Sequence, residues 1–261
     1  MAHGKFKDIL LKKRFGQHFL RDQTVVDHMI NAVAISDASV FEIGPGGGFL
    51  TQSILAQPVA RLWCFEIDPD WAAYIQETYK DERLTVFLEN FLDIDWQRLA
   101  AHQPWTVLAN LPYQVTFPIL HSFVAHRDML KEGVVMVQEE VAQKIVKTSG
   151  RGYGFVSLYF QWFFEWRLMD KIPPGAFNPP PKVYSRLLYF KPKVSVPTIA
   201  DEEGFWQFIK ICFRQPRRTL RNNLMQAHYD MTLFTEDLLS KRAQQLTMDD
   251  FLALWQSIKR S

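Results

Sequence analysis

The sequence predicts an α/β protein: an open sheet with helices on both faces, followed by a small all-helical domain. Three observations predict it. Short apolar runs rich in β-formers alternate with helical patterns through the first 193 residues. The first of these runs passes through a glycine-rich turn into a helix, the opening of a nucleotide-binding βαβ unit. Beyond Lys193 the composition shifts and only helical patterns remain. The domains are therefore expected at 1–193 and 194–261.

The chain begins with a basic, aromatic arm, Lys12-Lys13-Arg14-Phe15-Gly16-Gln17-His18-Phe19-Leu20. A helix is expected from Asp22 to Val33, because Asp22 can cap it and Val25, Val26, Met29, Ile30 and Val33 fall near helical spacing. Ser39–Ile43 reads as the first sheet strand and runs into Gly44-Pro45-Gly46-Gly47-Gly48-Phe49. Glycine lets a backbone turn tightly and approach a ligand closely. A dinucleotide fingerprint counted from Gly44 would place its third glycine at 49, where Phe49 stands. That favours a cofactor without a pyrophosphate.

The second strand is Arg61–Asp68. Glu66 lies at its end, about twenty residues past the turn, where an acid accepts from ribose hydroxyls. A helix over 70–79 and a strand over 84–88 follow. Asn90 comes just after that strand, where a side chain could reach an adenine edge. Trp105–Ala109 is a buried strand leading into Asn110-Leu111-Pro112-Tyr113. In open α/β sheets ligands bind outside the carboxyl ends of the strands, so an amide, a rigid proline and an aromatic ring at this exit suggest a site.

A helix over 118–124, a strand over 133–138 and an amphipathic stretch over 139–147 come next, then the basic, glycine-rich loop Gly150–Gly154. Phe155–Trp166 is ambiguous between helix and strand. Pro179-Pro180-Pro181 fixes an extended segment that cannot join a central strand and gives Phe177 a stiff support. Arg186–Phe190 alternates as a last strand. Helices are expected over 201–213, 217–226, 235–246 and 248–258.

Charge is distributed unevenly around a net +2. Six Lys/Arg against one acid lie between Met1 and Arg21, and five with no acid between Lys210 and Arg221. Between Glu66 and Asp95 nine acids face two bases. Basic ends around an acidic middle suit a polyanion at the periphery of a site that tolerates a cation. Cys64 and Cys212 give neither a disulfide framework nor metal-ligand spacing. No apolar run reaches membrane-spanning length. A cytoplasmic protein without a metal is expected.

Taken together, these segments resemble the KsgA-type rRNA adenine dimethyltransferases. The likeness rests on Gly16–Leu20, Glu42-Ile43-Gly44-Pro45-Gly46, Phe65–Asp68, Asn110–Tyr113, Phe177–Ser185 and Arg217–Leu220, and covers nearly the whole chain. It implies a Rossmann-like methyltransferase sheet using S-adenosyl-L-methionine (SAM), with Gln17, His18, Leu20, Gly44, Gly46, Glu66, Asn90 and Asn110 at the cofactor. It implies that Asn110, Leu111, Pro112, Tyr113 and Phe177 handle a target adenine. The implied substrate is two adjacent adenosines in a hairpin loop near the 3′ end of small-subunit rRNA, within a pre-ribosomal particle and met by a monomer. His18, Asn90, Gln114, Phe117 and Tyr184 depart from the common pattern; an Asp is usual where Asn90 stands.

The chemistry fits these residue types. The amino nitrogen of adenine has its lone pair delocalised into the ring, and two acceptors aimed at its N–H bonds would make it more tetrahedral. The Asn110 side-chain oxygen and the Leu111 carbonyl are the candidates. Pro112 holds Leu111 extended, and Tyr113 and Phe177 could sandwich an extruded base. Lys12, Lys13, Arg14, Lys144, Lys147, Arg151, Lys182, Arg217, Arg218 and Arg221 would hold RNA phosphates. The alternatives are a large-subunit rRNA adenine methyltransferase conferring antibiotic resistance and a non-catalytic RNA-binding assembly factor. A dehydrogenase is disfavoured by Phe49.

Overall fold

The computed structural model describes residues 17–260. Its first elements are strand β1 (Phe19–Leu20), helix α1 (Gln23–Asn31), β2 (Ser39–Ile43), α2 (Phe49–Leu55), β3 (Arg61–Glu66), α3 (Pro69–Thr78) and β4 (Leu84–Leu88). Then come α4 (Gln97–Ala100), β5 (Trp105–Asn110), α5 (Thr116–Ala125), β6 (Leu130–Gln138), α6 (Glu139–Val146) and α7 (Phe155–Phe163). Strands β7 (Phe164–Ile172), β8 (Phe177–Asn178) and β9 (Ser185–Pro192) complete the strands. Helices α8 (Glu202–Cys212), α9 (Leu220–Met225), α10 (Glu236–Ser240) and α11 (Met248–Arg260) follow.

Seven strands form one sheet in the order β4-β3-β2-β5-β6-β9-β7. The five from β4 to β6 run parallel; β9 is antiparallel to β6, and β7 to β9. The order reverses beside β2 and β5, so the crevice at their carboxyl ends is the expected ligand position. The predicted α/β class and the helices on both faces are what is observed. Period-two alternation builds the two faces. Val40, Cys64 and Leu108 face α1 and α2 in one apolar cluster with Val26, Met29 and Ile54. Phe41 turns to the other face, where it meets Phe91, Trp96, Trp105 and Phe123 of α5. A ring as completely buried as Phe41 contributes roughly 1.5–3 kcal/mol through removal from water.

The helix expected over 235–246 is instead α10 and a separate short turn at Ala243–Gln245, and the structure resolves or adds to the expectation elsewhere. The stretch 155–166 is both helix and strand: α7 ends at Phe163 and β7 begins at Phe164. Strand β7 sits at the sheet edge, and its register shifts between Leu168 and Lys171, so its sequence lacks clean alternation. The two-residue strands β1 and β8 pair antiparallel, Leu20 opposite Phe177.

By contacts the chain separates into two compact units, and the separation is discontinuous. One comprises residues through Ala142 with Phe164–Pro192; the other comprises Gln143–Phe163 with Lys193–Ser261. The sequence-based division at 193/194 leaves Gln143–Phe163 with the sheet. In the structure Tyr159 and Phe163 of α7 pack on Trp206 of α8, so this aromatic helix joins the helical core.

Candidate active site

The target motif is held by the sheet. Asn110 closes β5 and pairs with Met136 of β6, and the Leu111 N–H donates to the Met136 carbonyl at 3.1 Å. Leu111 buries its side chain. Pro112, at φ −60° and ψ 127°, breaks the strand and starts the short turn Tyr113–Val115.

The Asn110 amide has a defined orientation. Its Nδ2 donates to the His18 carbonyl at 2.9 Å. The flipped amide would set two acceptors face to face, so the nitrogen is committed to His18. Among the described residues neither Asn110 Oδ1 nor the Leu111 carbonyl receives a hydrogen bond.

These groups border a cleft of about 360 Å³, in the size range of small-molecule sites. Of the residues expected at a cofactor, it brings together Gln17, His18, Gly44, Gly46, Glu66, Asn90 and Asn110. Leu20 is buried in the core behind it. His18 is tethered through Nδ1 to the Pro179 carbonyl at 2.8 Å, and Gln17 Nε2 donates to Asp68 at 3.1 Å.

Gly44 has φ +66°, and a Cβ there would meet nothing within 4 Å, so the turn leaves open space at the cleft wall. At Gly46 a Cβ would come within 2.3 Å of the Phe19 ring, which closes the turn from behind. Glu66 accepts from the N–H groups of Gly46 at 3.1 Å and Asp68 at 2.9 Å, one on each oxygen. Each carboxylate oxygen keeps a second lone pair for a hydroxyl donor. Burial raises the Glu66 pKa above the ordinary carboxylate value, against these backbone bonds.

Asn90 caps the turn Phe91–Asp93: its oxygen accepts from Leu92 N–H, and its Nδ2 donates to Asp93 at 2.7 Å. A purine approaching Asn90 would therefore share that oxygen. Ile67 and Leu92 are apolar, half exposed and line the cleft, giving the flat walls a nucleoside base needs. Sequence reasoning missed both as wall residues; their signal is an apolar residue one or two positions after the polar groups Glu66 and Asn90, at or just past the ends of β3 and β4.

Behind the glycine turn lies a second carboxyl. Glu42 is buried, with Thr51 Oγ1 donating to it at 2.6 Å and Cys64 Sγ at 3.6 Å. Desolvation pushes its pKa up to about 8.

Tyr113 lies beside the His18 ring, centroids 6.0 Å apart and planes 29° from parallel. Its hydroxyl is 2.6 Å from Ser185 Oγ. Burial raises the Tyr113 pKa. Phe177 lies elsewhere: it is 4% exposed, packed in the core cluster with Leu20 and Ile172, and does not line the cleft. The β1–β8 pairing holds it there. The aromatic partner that this structure sets beside Tyr113 is His18.

The expected phosphate contacts are distributed as follows. Lys12, Lys13 and Arg14 lie outside the described residues. Lys182 is exposed on the sheet unit. In the helical unit Lys144, Arg151 and Arg217 line one cavity of about 920 Å³, joined by Lys210 of the basic 210–221 cluster and by Arg242, which sequence reasoning missed. Among the described residues no carboxylate lines it. Lys147 and Arg218 are exposed, and Arg221 is ion-paired with Glu236. Among the described residues no cluster could hold a metal ion, and no helix is long and apolar enough to cross a membrane.

Comparison with known proteins bears on the same residues. The chain is 35% identical over 257 residues to a ribosomal RNA small subunit methyltransferase A of Chlorobium phaeobacteroides, covering 98% of this chain and 94% of that one. It is 37% identical over 260 residues to the protein of that name from Syntrophotalea carbinolica, covering 95% and 97%. Among solved structures it resembles a dimethyladenosine transferase from Plasmodium falciparum, with TM-score 0.77, 21% identity, and 93% and 98% of the two chains covered. It also resembles the 23S rRNA methyltransferase ErmE, with TM-score 0.72, 19% identity, and 92% and 99% covered. At these identities the structural likeness speaks for the fold: a Rossmann-like methyltransferase sheet. Residues 9–260 match the sequence profile of ribosomal RNA adenine dimethylases, and the chain belongs to that family.

Proposed function

We propose that this protein transfers methyl groups from SAM to the exocyclic amines of two adjacent adenosines in a 3′-terminal hairpin loop of small-subunit rRNA. The observation that carries the reading is the pair of uncommitted acceptors, Asn110 Oδ1 and the Leu111 carbonyl, at the mouth of a nucleoside-sized cleft. An adenine amine has two N–H bonds, and two fixed acceptors match them. His18 spends the Asn110 nitrogen and so leaves only its oxygen for the base. The Leu111 N–H bond to β6 anchors the residue, and Pro112, by holding Leu111 extended, sets where its carbonyl points.

The cleft residues fit the cofactor. Glu66 would accept from the ribose hydroxyls, Ile67 and Leu92 would cover the adenine faces, and the open wall at Gly44 would leave room for the amino-acid end. When bound, SAM supplies a methyl group already activated on a sulfonium. The protein's part is then orientation: it aligns the amine and excludes water, which accounts for much of the barrier in such transfers. No general base is required at the outset, and the surplus proton can pass to water once the amine is alkylated. A second transfer to the same nitrogen leaves one acceptor without its N–H partner, so the base must rotate between transfers.

Tyr113 would stack on the extruded base. Phe177 can serve as the opposite wall only if the β1–β8 pair yields. Lys144, Lys147, Arg151, Lys182, Arg217 and Arg218 would hold phosphates, with Lys12, Lys13 and Arg14 extending that surface and Arg221 doing so at the expense of its pair with Glu236. A monomer acting in the cytoplasm on a pre-ribosomal particle completes the reading.

The alternative substrate is the large subunit. Methylation of purified, unmethylated small and large subunits with labelled SAM separates the two. Label in small-subunit rRNA is expected; label only in the large subunit overturns the assignment.

A further inference from the structure

We propose that Ser185 is a positioning residue for methyl transfer, fixing the Tyr113 ring through its hydroxyl so that the ring meets the target base in one orientation. This rests on the reading of Tyr113 as the wall against which the base stacks.

Tyr113 needs such a support. It sits in a three-residue turn that no side chain caps, beyond a proline that has already left the sheet. Phe177 is packed in the core and does not brace it. The His18 ring lies 6.0 Å away, near enough to flank it but too far to lock it. The contact that fixes the far end of the ring is the 2.6 Å hydrogen bond to Ser185 Oγ. A tyrosine anchored only at its backbone can swing about χ1; one anchored at backbone and hydroxyl cannot swing without breaking that bond.

Ser185 is itself rigidly placed. It begins β9, paired with Gln138 of β6 on one side and Ile172 of β7 on the other. Tyr184, just before it, accepts from Glu139 N–H at 3.0 Å. Arg186, just after it, makes a bidentate pair with Glu139 at 2.6 and 2.9 Å and donates to the Met169 carbonyl at 2.7 Å. Strand β6 also carries the target motif through Met136. The two ends of the Tyr113–Ser185 bond thus hang from one strand, which sets their separation. Ser185 is completely buried, and Tyr113 is the one partner its side chain has among the described residues. An apolar residue of the same size would spare the fold a buried hydroxyl, so the serine is explained by the tyrosine.

The test is a double-mutant cycle of Tyr113→Phe and Ser185→Ala, read as kcat and KM on unmethylated small subunits, with melting temperatures and a Tyr113→Ala control. Each single substitution is expected to lower kcat by about fivefold to tenfold, the loss of one hydrogen bond, while KM for SAM stays within about twofold. The double variant should be no slower than the slower single one, because both remove the same bond. A purely structural serine would instead lower the melting temperature of Ser185→Ala with kcat per folded molecule unchanged, or give losses that multiply; either result overturns the proposal. The Tyr113→Phe arm leaves Ser185 intact, so it reads the bond even if Ser185→Ala folds poorly: kcat unchanged there also overturns it. If Tyr113→Ala leaves transfer intact, the stacking role falls and this proposal with it; if Tyr113→Ala is impaired but Ser185→Ala is not, only the serine's role falls.

Discussion

Replacing Asn110 with alanine removes two interactions of different kinds, and their sizes separate structure from catalysis. The first is the bond from Nδ2 to the His18 carbonyl, 2.9 Å long and partly buried. Such a bond contributes about 0.5–1.5 kcal/mol net to stability. For a unit of this size that lowers Tm by roughly 1–6 °C. The second is the proposed acceptor for the adenine amine, which would act on charge developing in the transition state. Deleting one preorganised partner of that kind costs about 10²–10³ in kcat, or ~2.7–4 kcal/mol. Single-turnover methylation of small subunits at saturating SAM, alongside calorimetry, reads both. The expected outcome is a loss of at least two orders of magnitude in the transfer rate with a fold that melts only slightly earlier. Asn110→Asp should not rescue it, because its second oxygen would oppose the His18 carbonyl. A transfer rate within about threefold of the parent would refute the acceptor role, as would a loss wholly recovered by more SAM.

Three further outcomes follow from the geometry. Glu66→Ala should weaken SAM binding at least tenfold in calorimetric titration while RNA affinity changes less than about twofold, since the proposed hydroxyl contacts would be lost together with the turn anchor to Gly46 and Asp68; equal losses for both ligands would contradict the ribose role. Glu42 is pushed up to about 8 by burial, so between the ordinary carboxylate value and about 8 the folded protein binds a proton that the unfolded chain does not. Stability should therefore fall as pH rises through that window, by up to about 5 kcal/mol, and Glu42→Gln should flatten the fall in denaturant titrations at pH 5 and pH 8; an unchanged slope would show that Glu42 is ionised in the fold. Arg217→Gln should reduce the slope of log affinity against log salt for small subunits by about 0.7–0.9, the release of roughly one counterion; an unchanged slope would remove Arg217 from the phosphate contacts.

The sheet and the cleft were legible in the sequence for a physical reason: their positions are fixed by local chemistry. Asn110-Leu111-Pro112-Tyr113 marks its own strand exit, Gly44 and Gly46 mark their own turn, and Glu66 is placed by strand length. What was not legible depends on partners distant in sequence. Phe177 reads as a ring projecting from a proline-stiffened support, yet its pairing with Leu20 draws it into the core. Nothing near Ser185 announces a bond to a tyrosine 72 positions away. The run 155–166 is dominated by aromatic rings, with only Ser157, Gln161 and Glu165 polar, so periodicity did not reveal a helix changing to a strand at Phe164. Arg221 reads as a free cation because Glu236 is far along the chain.

The most direct measurement is mass spectrometry of nucleosides and mapped fragments from small-subunit rRNA, taken from cells with and without this protein and from purified subunits restored with it and SAM. N6,N6-dimethyladenosine at two adjacent positions of a 3′-terminal hairpin loop is predicted where the protein is present, and unmodified adenosine at both where it is absent or carries Asn110→Ala. The same dimethyladenosines without the protein, or modification confined to the large subunit, would contradict the account.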